Sequence, residues 1–215
     1  MSKYRVFVLM GKFACGKTTI AKLLELKYGM KRVVTCTTRS MREGERNGVD
    51  YYFYDDETFE KMASENRLVA INRVPVVTSE GNCEGTILSN SEKDATEGIE
   101  YSKKYGIPVE EINLRESSYI CVLEPSGYFD LVNKLGKDKV KSIYLKLNDK
   151  ERWLRALNRE VNPDVDTIAK KHFEEYKLYD GIEDLCDKVI DNAGTSDKAA
   201  IDVYEYIKEF DCIHS

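Results

Sequence analysis

The chain has 215 residues, 42% of them hydrophobic and 33% charged, enough for one sizeable α/β domain of ordinary composition. Thirty-three Lys and Arg stand against 38 Asp and Glu, a formal net charge of −5, which argues against a broad basic surface for nucleic acid or anionic membrane. Six cysteines without a Cys-x-x-Cys pair (Cys15, Cys36, Cys83, Cys121, Cys186 and Cys212) read as reduced thiols, not a disulfide frame or zinc site. No apolar run approaches the ~20 residues needed to span a bilayer. A core strand begins almost at once, so no secretory signal is expected and the protein is placed in the cytoplasm. His172 and His214 lie far apart and suggest no His-based catalytic pair.

The run 4–10 reads as a buried strand and 20–26 as an amphipathic helix. Between them Gly11–Thr19, GKFACGKTT, spells Gly-x-x-x-x-Gly-Lys-Thr in the strand-loop-helix context that a phosphate loop requires. Gly11 and Gly16 permit backbone angles and close approaches that a Cβ would block. Successive amides and the positive end of the helix can then wrap a phosphate. Lys17 adds a mobile charge for the β- and γ-phosphates, and Thr18 a hydroxyl for Mg²⁺. The plainer alternative is a Gly-rich turn that merely starts a helix.

Residues 32–38 read as a second, β-branched strand. Just past it, Arg39 and Arg42 are spaced to converge on one phosphate with the bidentate geometry that Lys lacks; taken alone, they read first as two solvated surface arginines. Asn47-Gly48 signals a tight turn. A helix starts at Asp55–Met62 with acidic residues in its first turn, and Leu68–Ile71 reads as a strand. Residues 75–104 show little periodicity and read as an insertion in loops or short hairpins.

Residues 118–124 read as a central parallel strand whose carboxyl end delivers Glu124, where doubly wound sheets collect ligands. A helix follows at 128–134 and a strand at 141–147. Asn148-Asp149 then caps a helix with Arg152, Arg155 and Arg159 on one face. Trp153, Phe173, Tyr176 and Tyr179 read as packing residues. Residues 188–192 form the last strand and 197–207 a closing amphipathic helix. The alternation implies an α/β fold: a parallel sheet with helices on both faces.

The stretch TCTTRSMREGERNGVDYYF resembles the monophosphate-binding segment of guanylate kinases, S-x-T-T-R-x-x-R-x-G-E-x-x-G-x-D-Y-x-F. With the phosphate loop, the resemblance covers nearly the whole chain apart from the insertion. It implies a guanylate-kinase-like domain over 1–215: a core at 1–35, 114–148 and 172–215, a small monophosphate-binding subdomain at 36–113 with an atypical insertion at 75–104, and a helical lid at 149–171. It implies ATP as co-substrate with Mg²⁺, and a nucleoside monophosphate, GMP or dGMP by default, as acceptor.

By that resemblance Arg39, Arg42, Tyr51 and Tyr105 hold the acceptor phosphate, with Thr35 near the base. Gly11, Gly16, Lys17, Thr18, Thr19 and Asn192 hold ATP, Asn192 near adenine. Lys17, Arg159 and, less closely matched, Arg155 act on the transferring phosphoryl group, and Glu124 positions the base or a hydrated Mg²⁺. The chain departs from the pattern at four places. Val69-Ala70 replaces a guanine-reading glutamate, Ile107 a Ser or Thr, Val122 the first of two acids, and Lys170-Lys171 a pair of lid arginines. The departures leave two alternatives open, a kinase for a different monophosphate and a non-catalytic binding module of the same fold. Nothing in the sequence specifies an oligomeric state.

Overall fold

The structure, a computed structural model, describes residues 4–75, 101–158 and 163–211. In chain order the elements are β1 (Val6–Met10), α1 (Lys17–Tyr28), β2 (Lys31–Arg32), β3 (Cys36–Thr37), β4 (Tyr52–Phe53), α2 (Asp56–Ser64), β5 (Leu68–Pro75) and β6 (Tyr101–Pro108). They continue with β7 (Tyr119–Val122), α3 (Pro125–Leu135), β8 (Val140–Lys146), α4 (Asp149–Leu157), α5 (Val165–Leu178), α6 (Ile182–Leu185), β9 (Lys188–Asp191) and α7 (Ser196–Asp211). Two compact units result: Met1–Arg32, Leu114–Pro125 and Lys137–Ser215 form the first, Val33–Asn113 and Ser126–Gly136 the second.

The first unit is a five-stranded sheet in the order β2-β7-β1-β8-β9, parallel at every pairing. β1 sits at its centre because all five of its residues are apolar and buried, the signature of a strand covered on both faces. Phe7, Leu9, Ile120, Ile143 and Leu145 pack against Ile20 and Leu24 of α1 and Val203 and Ile207 of α7. Each such side chain, fully buried, contributes about 1.5–3 kcal/mol of transfer free energy. This core fixes the end of β1, where the phosphate loop begins.

The second unit is a four-stranded sheet in the order β4-β3-β6-β5. β3 pairs parallel with β4 and antiparallel with β6, and β6 antiparallel with β5. Cys36, Phe59, Met62 and Leu68 form its small core. Asp55 caps α2 by accepting the Thr58 N–H at 2.8 Å. Lys104 of β6, buried, reaches Asp56 and Glu60 of α2 at 2.8 and 2.9 Å.

Three sequence expectations are revised. The run 32–38 is not one strand: Arg32 ends β2 in the first sheet and Cys36 starts β3 in the second. The β-branched residues gave it strand propensity, but the chain changes unit within it. β6, by contrast, had no strand signal, because its Lys-Lys-Tyr-Gly-Ile-Pro stretch mixes good and poor strand formers; pairing with β3 and β5 makes it one. The ends of the expected insertion therefore lie on paired strands, Pro75 opposite Tyr101, and residues 76–100 lie outside the described residues. Phe173 and Tyr176 of α5 are exposed at 70% and 43%, so of these expected packing aromatics only Tyr179, just past α5, is in the core.

Candidate active site

The loop after β1 folds back tightly. Gly11 has φ +141°, and a Cβ there would lie 2.6 Å from the Leu145 carbonyl oxygen and 2.8 Å from Cys15 Sγ. Gly16 has φ +98°, with a Cβ position only 2.5 Å from Asn192 Nδ2. Both glycines are thus required by backbone angle, and Gly11 by its closeness to the β8 backbone as well. Lys17 lies across the loop, its ammonium donating to the carbonyls of Gly11 at 2.5 Å and Lys12 at 3.1 Å. Thr18 and Thr19 are exposed in the first turn of α1.

α1 starts on Gly16, which has no side chain to cap it, and carries no acid in its first turn. The helices α2, α4 and α5 start on Asp55, Asn148 and Asp164, each of which caps through its side chain. The first amides and positive dipole end of α1 are therefore left for an anion from outside.

Around the loop lie groups from α4, α5 and β9. Arg155 donates to the Asn192 carbonyl at 2.9 Å, with a terminal nitrogen 3.6 Å from the Cβ position of Gly16. Asn192, fully buried, donates Nδ2 to the Cys15 carbonyl at 2.7 Å. Glu175 accepts the Phe13 N–H at 2.5 Å. Arg152, its side chain 2% exposed, donates to the Phe13 carbonyl at 3.1 Å, to Asp149 at 2.6 Å and to Glu175 at 3.4 Å. Lys171 lies 5.2 Å from the Phe13 ring and Lys12 4.2 Å from the Tyr176 ring.

Burial raises the pKa of Glu175, against the pull of the Phe13 amide, Lys17 and Arg152. Burial and then the charges of Glu124 and Glu175 push Tyr179 well up, so Glu124, at the carboxyl end of β7, stands within electrostatic reach of this cluster. Burial and Arg152 depress the pKa of His172, and its Nε2 accepts the Trp153 indole N–H at 3.1 Å. Sequence reasoning missed Glu175, Asp149 and His172. The acids are two among many on charged helices, and the histidine has no sequence partner; only the helix pairing joins them to the loop. The spacing of Arg152 and Arg155 was the one visible signal. Arg159 lies outside the described residues.

In the second unit Arg39, Tyr51 and Tyr105 come together. The Arg39 guanidinium lies 5.1 Å from the Tyr51 ring centre and 5.5 Å from that of Phe53, and the rings of Tyr51 and Tyr105 are 6.4 Å apart. Glu45 grips Arg39 with both oxygens, at 2.5 and 2.8 Å, and accepts the Arg42 amide at 2.8 Å. The hydrogen bond from Arg39 holds the Glu45 carboxyl down to about 2. The Arg42 side chain is exposed, and Thr35 is half-buried at the head of β3 with its carbonyl accepting the Tyr52 N–H at 2.9 Å.

The positions of expected base contact are apolar and buried: Ile107 fully, Val69 and Ala70 nearly so. Ala70 adopts φ +55° at a register shift in β5, and its N–H donates to Asp130 at 2.6 Å.

A Gly-rich loop leading from a central parallel strand into an uncapped helix, with Lys17 and Arg155 beside it, defines a phosphate-loop phosphotransferase of the α/β class. The guanylate kinase family model matches residues 3–210. The guanylate kinase of Anaplasma phagocytophilum is 38% identical over 198 residues, 86% of this chain and 83% of that protein. That of Wolbachia pipientis is 30% identical over 176 residues, 80% of this chain and 74% of that protein. The crystal structure of guanylate kinase from Anaplasma phagocytophilum superposes with a TM-score of 0.61 at 21% identity, covering 97% of this chain and 87% of that one; it shows the shared fold. The chain belongs to the guanylate kinase family, and is an ATP-dependent nucleoside monophosphate kinase. Among the described residues no helix is long and apolar enough to cross a membrane.

Proposed function

We propose that this protein transfers the γ-phosphate of ATP to GMP or dGMP. The observation that carries the donor half is the uncapped start of α1 behind a loop that only glycines can form, with Lys17 already among the loop carbonyls. ATP phosphates would take the free amides, and Lys17 would swing from Gly11 and Lys12 to the β- and γ-oxygens. Thr18 offers a hard oxygen at the first turn, suited to Mg²⁺, which when bound with ATP neutralises charge on the phosphates.

The acceptor half rests on Arg39, Tyr51 and Tyr105, with Arg42 joining them when the monophosphate binds. The acceptor phosphate is ionised at neutral pH, so no general base is needed. Its oxygen attacks the γ-phosphorus in line, the bond to the β-phosphate oxygen breaks, and ADP leaves with that electron pair. What the protein supplies is alignment and charge neutralisation. Arg155 and Arg159 are the proposed cations over the transferring group. Glu124 is assigned to the base or a hydrated Mg²⁺, and the segment 149–171 to a lid that excludes water.

Ala70 favours a second reading, in which the acceptor carries a different base. Its position has no side-chain carboxylate, and the nearby acid Asp130 is bonded to its amide. Apolar walls discriminate bases weakly, whereas paired polar groups discriminate strongly. An ATP-coupled assay across the common ribo- and deoxyribonucleoside monophosphates decides between the readings. GMP or dGMP is expected to give the highest kcat/KM; a higher value for another base would establish the second. In the same assay Arg42→Ala should raise the KM of the monophosphate far more than that of ATP. An equal rise in both would remove Arg42 from the acceptor site.

A further inference from the structure

A phosphate loop works only if its N–H groups, not its carbonyls, face the anion. In this protein the loop does little to arrange that by itself. Within it the Cys15 N–H donates to the Lys12 carbonyl at 3.2 Å and the Ile20 N–H to the Gly16 carbonyl at 3.0 Å. Other backbone groups are taken by side chains remote in sequence. Arg152 of α4 holds the Phe13 carbonyl, Glu175 of α5 holds the Phe13 N–H, and Asn192 after β9 holds the Cys15 carbonyl.

The peptide bond is trans and planar, so each carbonyl and the amide N–H of the next residue point in opposite directions. Anchoring the Phe13 carbonyl on Arg152 turns the Ala14 N–H away from Arg152. Anchoring the Cys15 carbonyl on Asn192 does the same for Gly16. Ala14 has φ +62°, a conformation rarely adopted without glycine, so an external hold on the peptide before it has a purpose.

Two features show that these contacts are more than incidental packing. Asn192 is fully buried, yet its Oδ1 finds no hydrogen-bond partner among the described residues. An amide buried half-satisfied is destabilising, so the Nδ2 bond to the loop is what the residue contributes. Arg152 is among the largest fully buried side chains. Its guanidinium is oriented by Asp149 and Glu175, and the terminal nitrogen that meets Glu175 also donates to the Phe13 carbonyl.

We propose that Arg152, Glu175 and Asn192 are positioning residues for phosphoryl transfer, holding the outward backbone groups of residues 13 and 15 so that the amides of Ala14 and Gly16 face the nucleotide phosphates. This rests on the reading of Gly11–Thr19 as the ATP site. The three residues touch the loop from behind and act on the substrate only through it.

The test is ADP binding by titration calorimetry, with KM for ATP and for the monophosphate measured separately on the same variants. Asn192→Ala and Arg152→Met are expected to weaken ADP about tenfold or more and to raise the ATP KM in parallel, the monophosphate KM staying within about twofold. Glu175→Ala should act likewise, while Glu175→Gln, which keeps an oxygen for the Phe13 N–H, should restore binding to within about threefold. In ¹⁵N spectra the Ala14 and Gly16 amides should shift on adding ADP to the parent protein and much less in Asn192→Ala.

Should Arg152→Met fail to fold, Asn192→Ser and the Glu175 pair decide. Folded variants that bind ADP as tightly as the parent overturn the proposal. A parent protein that does not bind ADP, or a Lys17→Ala variant that binds as well as the parent, would instead overturn the ATP-site reading beneath it.

Discussion

Arg39 and Glu45 meet in a two-pronged ion pair at 2.5 and 2.8 Å, and the second oxygen of Glu45 also takes the Arg42 amide at 2.8 Å. One carboxylate thus fixes the side chain of Arg39 and the backbone of Arg42, the two arginines proposed for the acceptor phosphate. Planar forks of this kind add direction as well as attraction. Glu45→Ala is expected to leave Arg39 unaimed and to raise the monophosphate KM about tenfold, with ATP KM changed less than about twofold. Initial-rate kinetics with each substrate varied in turn would check it. The Glu45 carboxyl titrates near 2 through its bond from Arg39, so the pair stays charged throughout the neutral range, and the effect should not depend on pH between about 5 and 8.

In the proposed ATP site Lys17 exchanges the Gly11 and Lys12 carbonyls for phosphate oxygens. Lys17→Ala should reduce kcat by about a thousandfold or more through lost transition-state charge stabilisation. The fold should be unharmed, because the ammonium bonds only to the half-buried loop. A coupled assay paired with a thermal melt separates the two effects. Near-parent turnover would refute the assignment of the loop.

Gly11 admits no side chain. Its φ of +141° and the 2.6 Å approach of the Leu145 carbonyl mean that Gly11→Ala must displace backbone, either the loop or β8. The expected cost is about 1–3 kcal/mol of stability, with ADP binding lost as well. Urea unfolding with and without ADP measures both quantities.

Asp187 supplies a pH-dependent contribution to stability. Its Oδ2 accepts from Lys137 at 2.6 Å and from the N–H and hydroxyl of Ser142, both at 2.8 Å. Burial works against the charge, but these bonds from Lys137 and Ser142 hold the pKa below its ordinary value. A carboxyl lowered on folding stabilises the protein above its unfolded pKa, near 3.9, and the gain is lost as pH falls through the folded value. Asp187→Asn should therefore cost about 1–3 kcal/mol at pH 7, and the gap between variant and parent should close as the pH is lowered from about 4 toward 2. Urea melts of both proteins across that range would show it.

The sequence by itself determined the glycine loop between β1 and α1 and the reason for its shape. Strand, Gly-x-x-x-x-Gly-Lys-Thr and helix are contiguous, and what each glycine must do follows from local backbone geometry. Through the family resemblance it also singled out Arg39, Arg42, Tyr51 and Tyr105, of which Arg39, Tyr51 and Tyr105 lie together in the second unit. Local chemistry of this sort is legible because the interacting groups are neighbours in the chain, or sit at the ends of strands that periodicity reveals.

What the tertiary structure alone decided is how those pieces are held. Glu175 looked like one more charge on a polar helix and His172 like an isolated ring, and nothing in the sequence tied Asn192 to the loop backbone. The packing of α4, α5 and β9 around the loop sets Glu175 and Asn192 on its backbone and His172 beside Arg152. β6 likewise became a strand because β3 and β5 offered it hydrogen-bonding partners on both sides. Such pairings join residues many positions apart, and their free energy comes from burial and hydrogen bonds that exist only once the chain has folded.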